Sequence, residues 1–158
     1  MSIYLSKKGK KILEDRIDKV EKEIIETYKQ MGESTKIDND LRENPEYNDL
    51  QNKVSYKLPL EKKQLKETLN NALIIEEQDF YKNFNGNEVV IGTRVTLLYN
   101  GNKETYSIVG YGEEDPFENI ISYNCDFAIN LIGKKINEEY KYKNACIKVL
   151  DVKLIYNE

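Results

Sequence analysis

Nine consecutive residues, Asn39-Asp40-Leu41-Arg42-Glu43-Asn44-Pro45-Glu46-Tyr47, carry carboxylates at Asp40, Glu43 and Glu46. Hard anionic oxygens spaced by three share a face on a turn or a first helical turn, where they can hold a divalent cation, orient a water or meet a basic partner. Over the wider segment Glu33, Asp38, Asp40, Glu43, Glu46 and Asp49 face only Lys36 and Arg42. Charge of one sign at that density repels itself unless a cation or a basic partner receives it. Acids around a helix start also complement the macrodipole and keep a loop soluble, and the residues alone leave both readings open.

Histidine is absent and the two cysteines, Cys125 and Cys146, have no CxxC spacing. The commonest general base, the Ser-His and Cys-His nucleophiles and the usual zinc sets are therefore missing, and both thiols are read as reduced. Hydrolysis by this chain alone is not expected.

Two long amphipathic stretches flank the acidic segment. Upstream, Leu13, Ile17, Val20, Ile24, Tyr28 and Met31 recur at spacings of three and four; downstream, Tyr47, Leu50, Val54, Leu58, Leu65, Leu69 and Leu73 do the same. Asn44 before Pro45 marks a helix start, because the Asn side chain accepts from free backbone N–H groups and proline at the first helical position loses no needed donor. Two apolar stripes joined by a short connection pack as antiparallel neighbours, which makes a coiled-coil hairpin. About 28 residues per arm at roughly 1.5 Å each give a rod of about 40 Å with the acids at its turn. Pro59 falls inside the second arm and removes a donor there, so a kink is expected.

After residue 76 the periodicity changes. Residues 78–87 are rich in turn formers, and Val89–Ile91, Val95–Tyr99, Thr105–Val109 and Ile147–Ile155 are β-branched and largely alternating. Asn100-Gly101 between two such runs suits a tight hairpin, and Phe127–Ile132 before Gly133 reads as one short helix with a glycine stop. The fold class expected is α+β. Residues 1–76 form the hairpin with its acidic tip at 38–47, residues 77–88 a linker, and residues 89–158 a small antiparallel domain. A chain of 158 residues, 39% hydrophobic and with a net charge of −4, has no run fit to span a membrane and no apolar signal core, and a cytoplasmic monomer with no membrane association is expected. The acidic balance argues against independent nucleic-acid binding.

The motif Asp40-Leu41-x-Glu43-Asn44-x-Glu46-Tyr47 resembles the tip of the bacterial Gre transcript cleavage factors. The resemblance continues through Leu5-Ser6, Gly9 and Leu13-Glu14, then Ile91-Gly92, Val95-Thr96, Tyr106-x-Ile108-Val109-Gly110, Glu114-Asp115, Ile121-Ser122, Asn124 and Leu131-Ile132-Gly133-Lys134. It implies an FKBP-like second domain, a fold shared with small prolyl isomerases, that docks on bacterial RNA polymerase through Ser122, Tyr123, Asn124, Cys125, Asp126 and Phe127. It further implies that the hairpin enters the secondary channel of a polymerase whose RNA 3′ end has backtracked. There Asp40 and Glu43 help retain the polymerase's Mg²⁺ and position the attacking water, with no cofactor bound by the isolated protein. Asn44, Glu46 and Tyr47 match positions that support the tip, and Lys36, Arg42 and Lys53 are candidate contacts to RNA phosphate. Cys125-Asp126 stands where the resembling factors carry Ser-Pro. That departure keeps a second implied activity in view, inhibition of the polymerase by channel entry without cleavage.

Overall fold

The computed structural model describes residues 2–37, the last three as backbone alone, and residues 44–156. The chain divides into two compact units, one made of residues 11–71 and the other of residues 1–10 with 72–158.

The first unit is the hairpin. Helix α1 (Lys7–Ile37) supplies one arm; α2 (Pro45–Asn52), a π-turn (Lys53–Lys57) and α3 (Leu58–Asn71) supply the other. Ion pairs tie the two arms, Arg16 with Glu61, Lys62 Nζ with Glu21 at 3.1 Å and Lys53 Nζ with Glu23 at 2.8 Å, and from Arg16–Glu61 to Glu23–Lys53 the residue numbers rise on one arm and fall on the other, as antiparallel helices require. Lys62 beside Glu21 and Lys53 beside Glu23 hold both carboxyls below the usual carboxylate range.

The inward face of α1 is Leu13, Ile17, Val20, Ile24, Thr27, Met31 and Ser34, all buried or half-buried at alternating spacings of four and three. Tyr28, expected on this face, is instead 59% exposed, and Thr27 takes its place at 1%. A strict heptad explains the exchange: an interval of 3.5 keeps the seam facing the partner helix, and Thr27 rather than Tyr28 falls on it. The Thr27 hydroxyl is satisfied within its own helix by donating to the Glu23 carbonyl at 2.7 Å.

On the returning arm the π-turn solves the problem set by Pro59. The Leu58 amide bonds the Lys53 carbonyl, five residues back, which widens the turn just before the pyrrolidine ring. The widened turn also inserts one residue into the heptad, so that Val54 and Leu58, four apart, are both buried on the seam.

The second unit begins with β1 (Ile3–Leu5), which pairs in parallel with β2 (Ala72–Ile74), Leu5 opposite Ile74. A 3₁₀ turn (Ile75–Glu77) and the short helix α4 (Asp79–Lys82) follow. The five-stranded sheet contains β3 (Thr93–Tyr99), β4 (Asn102–Val109), β5 (Ile120–Ser122), β6 (Glu139–Tyr142) and β7 (Ala145–Leu154), in the order β5-β4-β3-β7-β6. All its pairings are antiparallel except β4 with β5. Asn100 and Gly101 both take positive φ, 50° and 84°, and join β3 to β4 as the sequence led one to expect. In β7 a bulge at Leu150 moves the inward positions from Ala145, Ile147 and Val149 to Val152. Helix α5 (Asp126–Leu131) covers the sheet with Ala128 and Leu131, both fully buried.

Three expectations need correction. The division falls between Asn71 and Ala72 rather than at 76, and the first ten residues belong to the sheet unit. Residues 77–88 are not a linker, because Tyr81 is buried in the core and Phe80 and Phe84 pack against it; their turn formers end helices without freeing the chain. Val89–Ile91 is not a strand, although Val89 exchanges two backbone bonds with the segment after α5, Val89 N to Lys134 O at 2.9 Å and Gly133 N to Val89 O at 2.8 Å. That pairing accounts for its β-like, buried character.

Gly92 sits at φ +90°, where a Cβ would lie 2.9 Å from a Tyr81 ring carbon and 3.0 Å from Ile75. Its backbone binds both Ile108 and Ile155 at 2.9 Å and cannot move aside. Gly92→Ala is expected to destabilise the sheet unit by about 2–4 kcal/mol, from left-handed strain plus overpacking, as read by urea unfolding followed through tyrosine fluorescence.

Candidate functional site

The two arms are fastened to each other where the acidic segment leaves and re-enters them. Asn44 is 5% exposed and Ser34 is 3% exposed. Asn44 Oδ1 accepts from the Tyr47 amide at 3.1 Å, capping α2, while its Nδ2 donates to Ser34 Oγ on the opposite arm at 3.0 Å. Pro45 occupies the first helical position and Glu46 lies in the first turn, exposed, where its charge complements the helix dipole. Tyr47 is half-buried on the seam. One amide thus serves as helix cap and cross-arm tie.

Asp40, Arg42 and Glu43 lie outside the described residues, as does the side chain of Lys36. Lys53 is placed, and its ammonium is engaged with Glu23 rather than standing free. An RNA phosphate would have to compete with that carboxylate. Among the described residues no group of three or more Asp, Glu, Cys or His side chains could hold a metal ion.

The segment Ser122–Phe127 separates into surface and support. Ser122 Oγ donates to Asn124 Oδ1 at 2.6 Å, and Asn124 and Asp126 are exposed. Tyr123 is 7% exposed; its hydroxyl donates to the Ser2 carbonyl and accepts from the Tyr4 amide at 3.2 Å, so its role is to anchor the first strand. Cys125 caps α5, its sulfur accepting from the Ala128 amide at 3.4 Å, so a thiol does what the hydroxyl of a serine would do more strongly. Phe127 is enclosed by Tyr99, Tyr106 and Tyr142, with ring centroids 6.4, 5.0 and 5.1 Å away. Asp126 accepts from the Tyr142 hydroxyl at 2.7 Å. Sequence reasoning found this segment but missed Tyr106 and Tyr142, whose alternation in β4 and β6 was the available signal.

A second polar cluster was not foreseen. Ser6 Oγ donates to Glu113 Oε1 at 2.8 Å and accepts from the Gly9 amide at 2.9 Å, while Tyr156 OH donates to Glu113 Oε2 at 3.1 Å. The carboxylate therefore sits at the start of α1 and is compensated there by a capped helix end.

The described residues define an α+β protein in which an antiparallel helical hairpin, its arms tied by Ser34 and Asn44, is inserted in the chain between the first strand and the rest of a small sheet unit. Residues 85–154 match the family model described as "Transcription elongation factor, GreA/GreB, C-term". The chain is 34% identical over 146 residues to a protein of Oceanobacillus iheyensis named "Transcription elongation factor GreA", covering 87% of this chain and 85% of that one. It is 33% identical over 141 residues to the protein of the same name from Bacillus subtilis strain 168, covering 85% and 83%. Among solved structures, the Gfh1 protein of Thermus thermophilus aligns with 97% of this chain and 99% of its own at 16% identity and a TM-score of 0.42. The chain belongs to the GreA/GreB family of transcription elongation factors.

Two outcomes are expected from the site geometry. Asn44→Ala removes a cap and leaves a buried hydroxyl unsatisfied, which should cost about 2–4 kcal/mol of hairpin stability; Ser34→Ala should cost about 1–3 kcal/mol. In the double variant the losses should fall short of their sum by about 1 kcal/mol or more, because both remove one bond; helical circular dichroism during denaturant unfolding measures each value. The Tyr142 hydroxyl is pushed up to about 12 by its bond to Asp126 first and by burial second. A raised value means the bond's stabilisation is complete below the ordinary tyrosine value near 10 and is lost as pH rises through about 12. Tyr142→Phe should remove one tyrosinate from the high-pH phase of the 295 nm absorbance titration and leave the phase near pH 10 unchanged.

Proposed function

We propose that this chain is an elongation factor that enters the secondary channel of bacterial RNA polymerase and stimulates the polymerase's own Mg²⁺-dependent cleavage of backtracked RNA. The observation that carries the reading is the Ser34–Asn44 tie. It brackets the motif Asp40-x-x-Glu43 between two antiparallel arms, and the family membership supports the partner. The chain contributes no catalytic centre of its own and stands as a cofactor to another enzyme's reaction.

Carboxylates are the donor type Mg²⁺ takes, and the metal, when held between the two proteins, would acidify a water for attack on the RNA phosphodiester. Asp40 and Glu43 would supply the additional oxygens, one toward the metal and one toward the water. Glu46, fixed in the first turn of α2, adds negative potential beside them. Asn44 and Tyr47 position the pair by holding the helix start. Arg42 and Lys36 would face the RNA backbone.

A stalled, backtracked polymerase with end-labelled RNA tests the proposal. The full chain is expected to release 3′ fragments in a Mg²⁺-dependent manner and to leave free RNA intact. Asp40→Asn or Glu43→Gln should lower the cleavage rate by about tenfold or more, in part restored by raising Mg²⁺, with polymerase binding unchanged. The Cys125-Asp126 departure favours a test for the second activity in the same assay, since channel entry without cleavage slows nucleotide addition and yields no short product. Cleavage of naked RNA at the same rate would sink the cofactor reading.

A further inference from the structure

Residues 111–119, Tyr-Gly-Glu-Glu-Asp-Pro-Phe-Glu-Asn, link β4 to β5 and contain four acids and no lysine or arginine. The segment is pinned rather than loose. Tyr111 N donates to Tyr4 O at 2.8 Å, Asp115 N to Ile120 O at 2.8 Å, and Ile120 N back to Asp115 O at 3.0 Å. Inside that closed pair, Asp115 caps the 3₁₀ turn Pro116–Glu118 by accepting from the Phe117 amide at 3.2 Å, and Asn119 returns the chain at φ 54°. Proline fixes the first backbone angle of the turn, and asparagine is the residue type that most readily takes the left-handed one.

The side chain presented by this frame is Phe117, 97% exposed, whereas the other exposed large apolar side chains run from 39% to 71%. Single exposed apolar residues are ordinary. What separates this one is near-complete exposure at the tip of a pinned turn, on a backbone already ordered, so that little backbone freedom remains to be lost on binding. Phenylalanine, with the other aromatic residues, is enriched in protein interfaces relative to the rest of the surface. Around it Glu114 and Glu118 are exposed, while Glu113 is engaged with Ser6 and Tyr156. The turn therefore offers an apolar knob in a negative field. β5 leads directly from it to Ser122, three residues beyond Asn119, a distance of about 10 Å at strand rise.

We infer that Phe117 is an anchor by which this chain docks on RNA polymerase, its ring entering an apolar pocket rimmed by basic side chains. The inference rests on the elongation-factor reading, and it extends the docking surface from Ser122–Phe127 to the turn before β5.

The experiment measures binding of the full-length chain to bacterial core RNA polymerase by competition against the labelled, unsubstituted chain. Phe117→Ala is expected to weaken binding tenfold or more at an unchanged melting temperature, and Phe117→Tyr to retain most of it. Glu118→Lys should weaken binding severalfold, with a larger effect at low salt than at high salt, as expected for charge that steers association. Binding of Phe117→Ala within twofold of the unsubstituted chain would overturn this inference alone. No binding by the unsubstituted chain would overturn the polymerase reading and this inference with it. Loss of self-association in Phe117→Ala with polymerase binding intact would assign the knob to a second copy of the chain and equally overturn the proposal.

Discussion

Two helices that share one apolar seam must stay in phase along the whole seam, and everything at the tip depends on that phase being kept. A proline in the second arm threatens it twice, by removing a hydrogen bond and by crowding the preceding carbonyl. The π-turn Lys53–Lys57 relieves the crowding and supplies one residue of offset. Past it, Leu58 returns to the seam opposite an α1 that never leaves a strict heptad. An offset left uncorrected would rotate α2 or α3 by about 100° and carry Asn44 away from Ser34 or Glu61 away from Arg16.

The seam also changes character along its length. Near the sheet-side end it is aliphatic; toward the acidic stretch it holds Thr27, Ser34 and Asn44, each buried with its polar atoms bonded. Polar pairs in a coiled coil weaken it relative to leucine but permit a single register. Register is the property a tip requires, since a slip of one turn displaces it by about 5 Å. The second unit uses the same device on a smaller scale, where Ser6, Glu113 and Tyr156 join three distant parts of the chain through one carboxylate.

Much of this was legible in the sequence. The hairpin, the cap at Asn44, the Asn100-Gly101 turn and the strands carrying Val95 and Ile147 follow from periodicity and turn chemistry, which are local. Tyr28 misled because an apolar residue at the right spacing for a straight helix is off the seam of a supercoiled one. The π-turn was foreshadowed by Pro59, yet its form depends on the facing arm. Tyr81 inside a stretch of turn formers, and the enclosure of Phe127 by Tyr106 and Tyr142, come from packing between residues far apart in sequence. Spacing carries no such information. The departure at Cys125 was visible as a substitution, but only its bond to Ala128 shows that the capping role survives with a weaker acceptor.

Because β1 and β2 lie side by side in parallel, with Ile3 opposite Ala72 and Leu5 opposite Ile74, the chain leaves the sheet unit and rejoins it at neighbouring points. The hairpin is, in architectural terms, a sixty-one-residue insert in a host domain. A cut at residue 76 would strip the host of β1, β2 and the buried Ile75, whereas excision of residues 11–71 with a short bridge spares all three. Variation in arm length or tip chemistry can accordingly be exchanged as a cassette without rewriting the host's core.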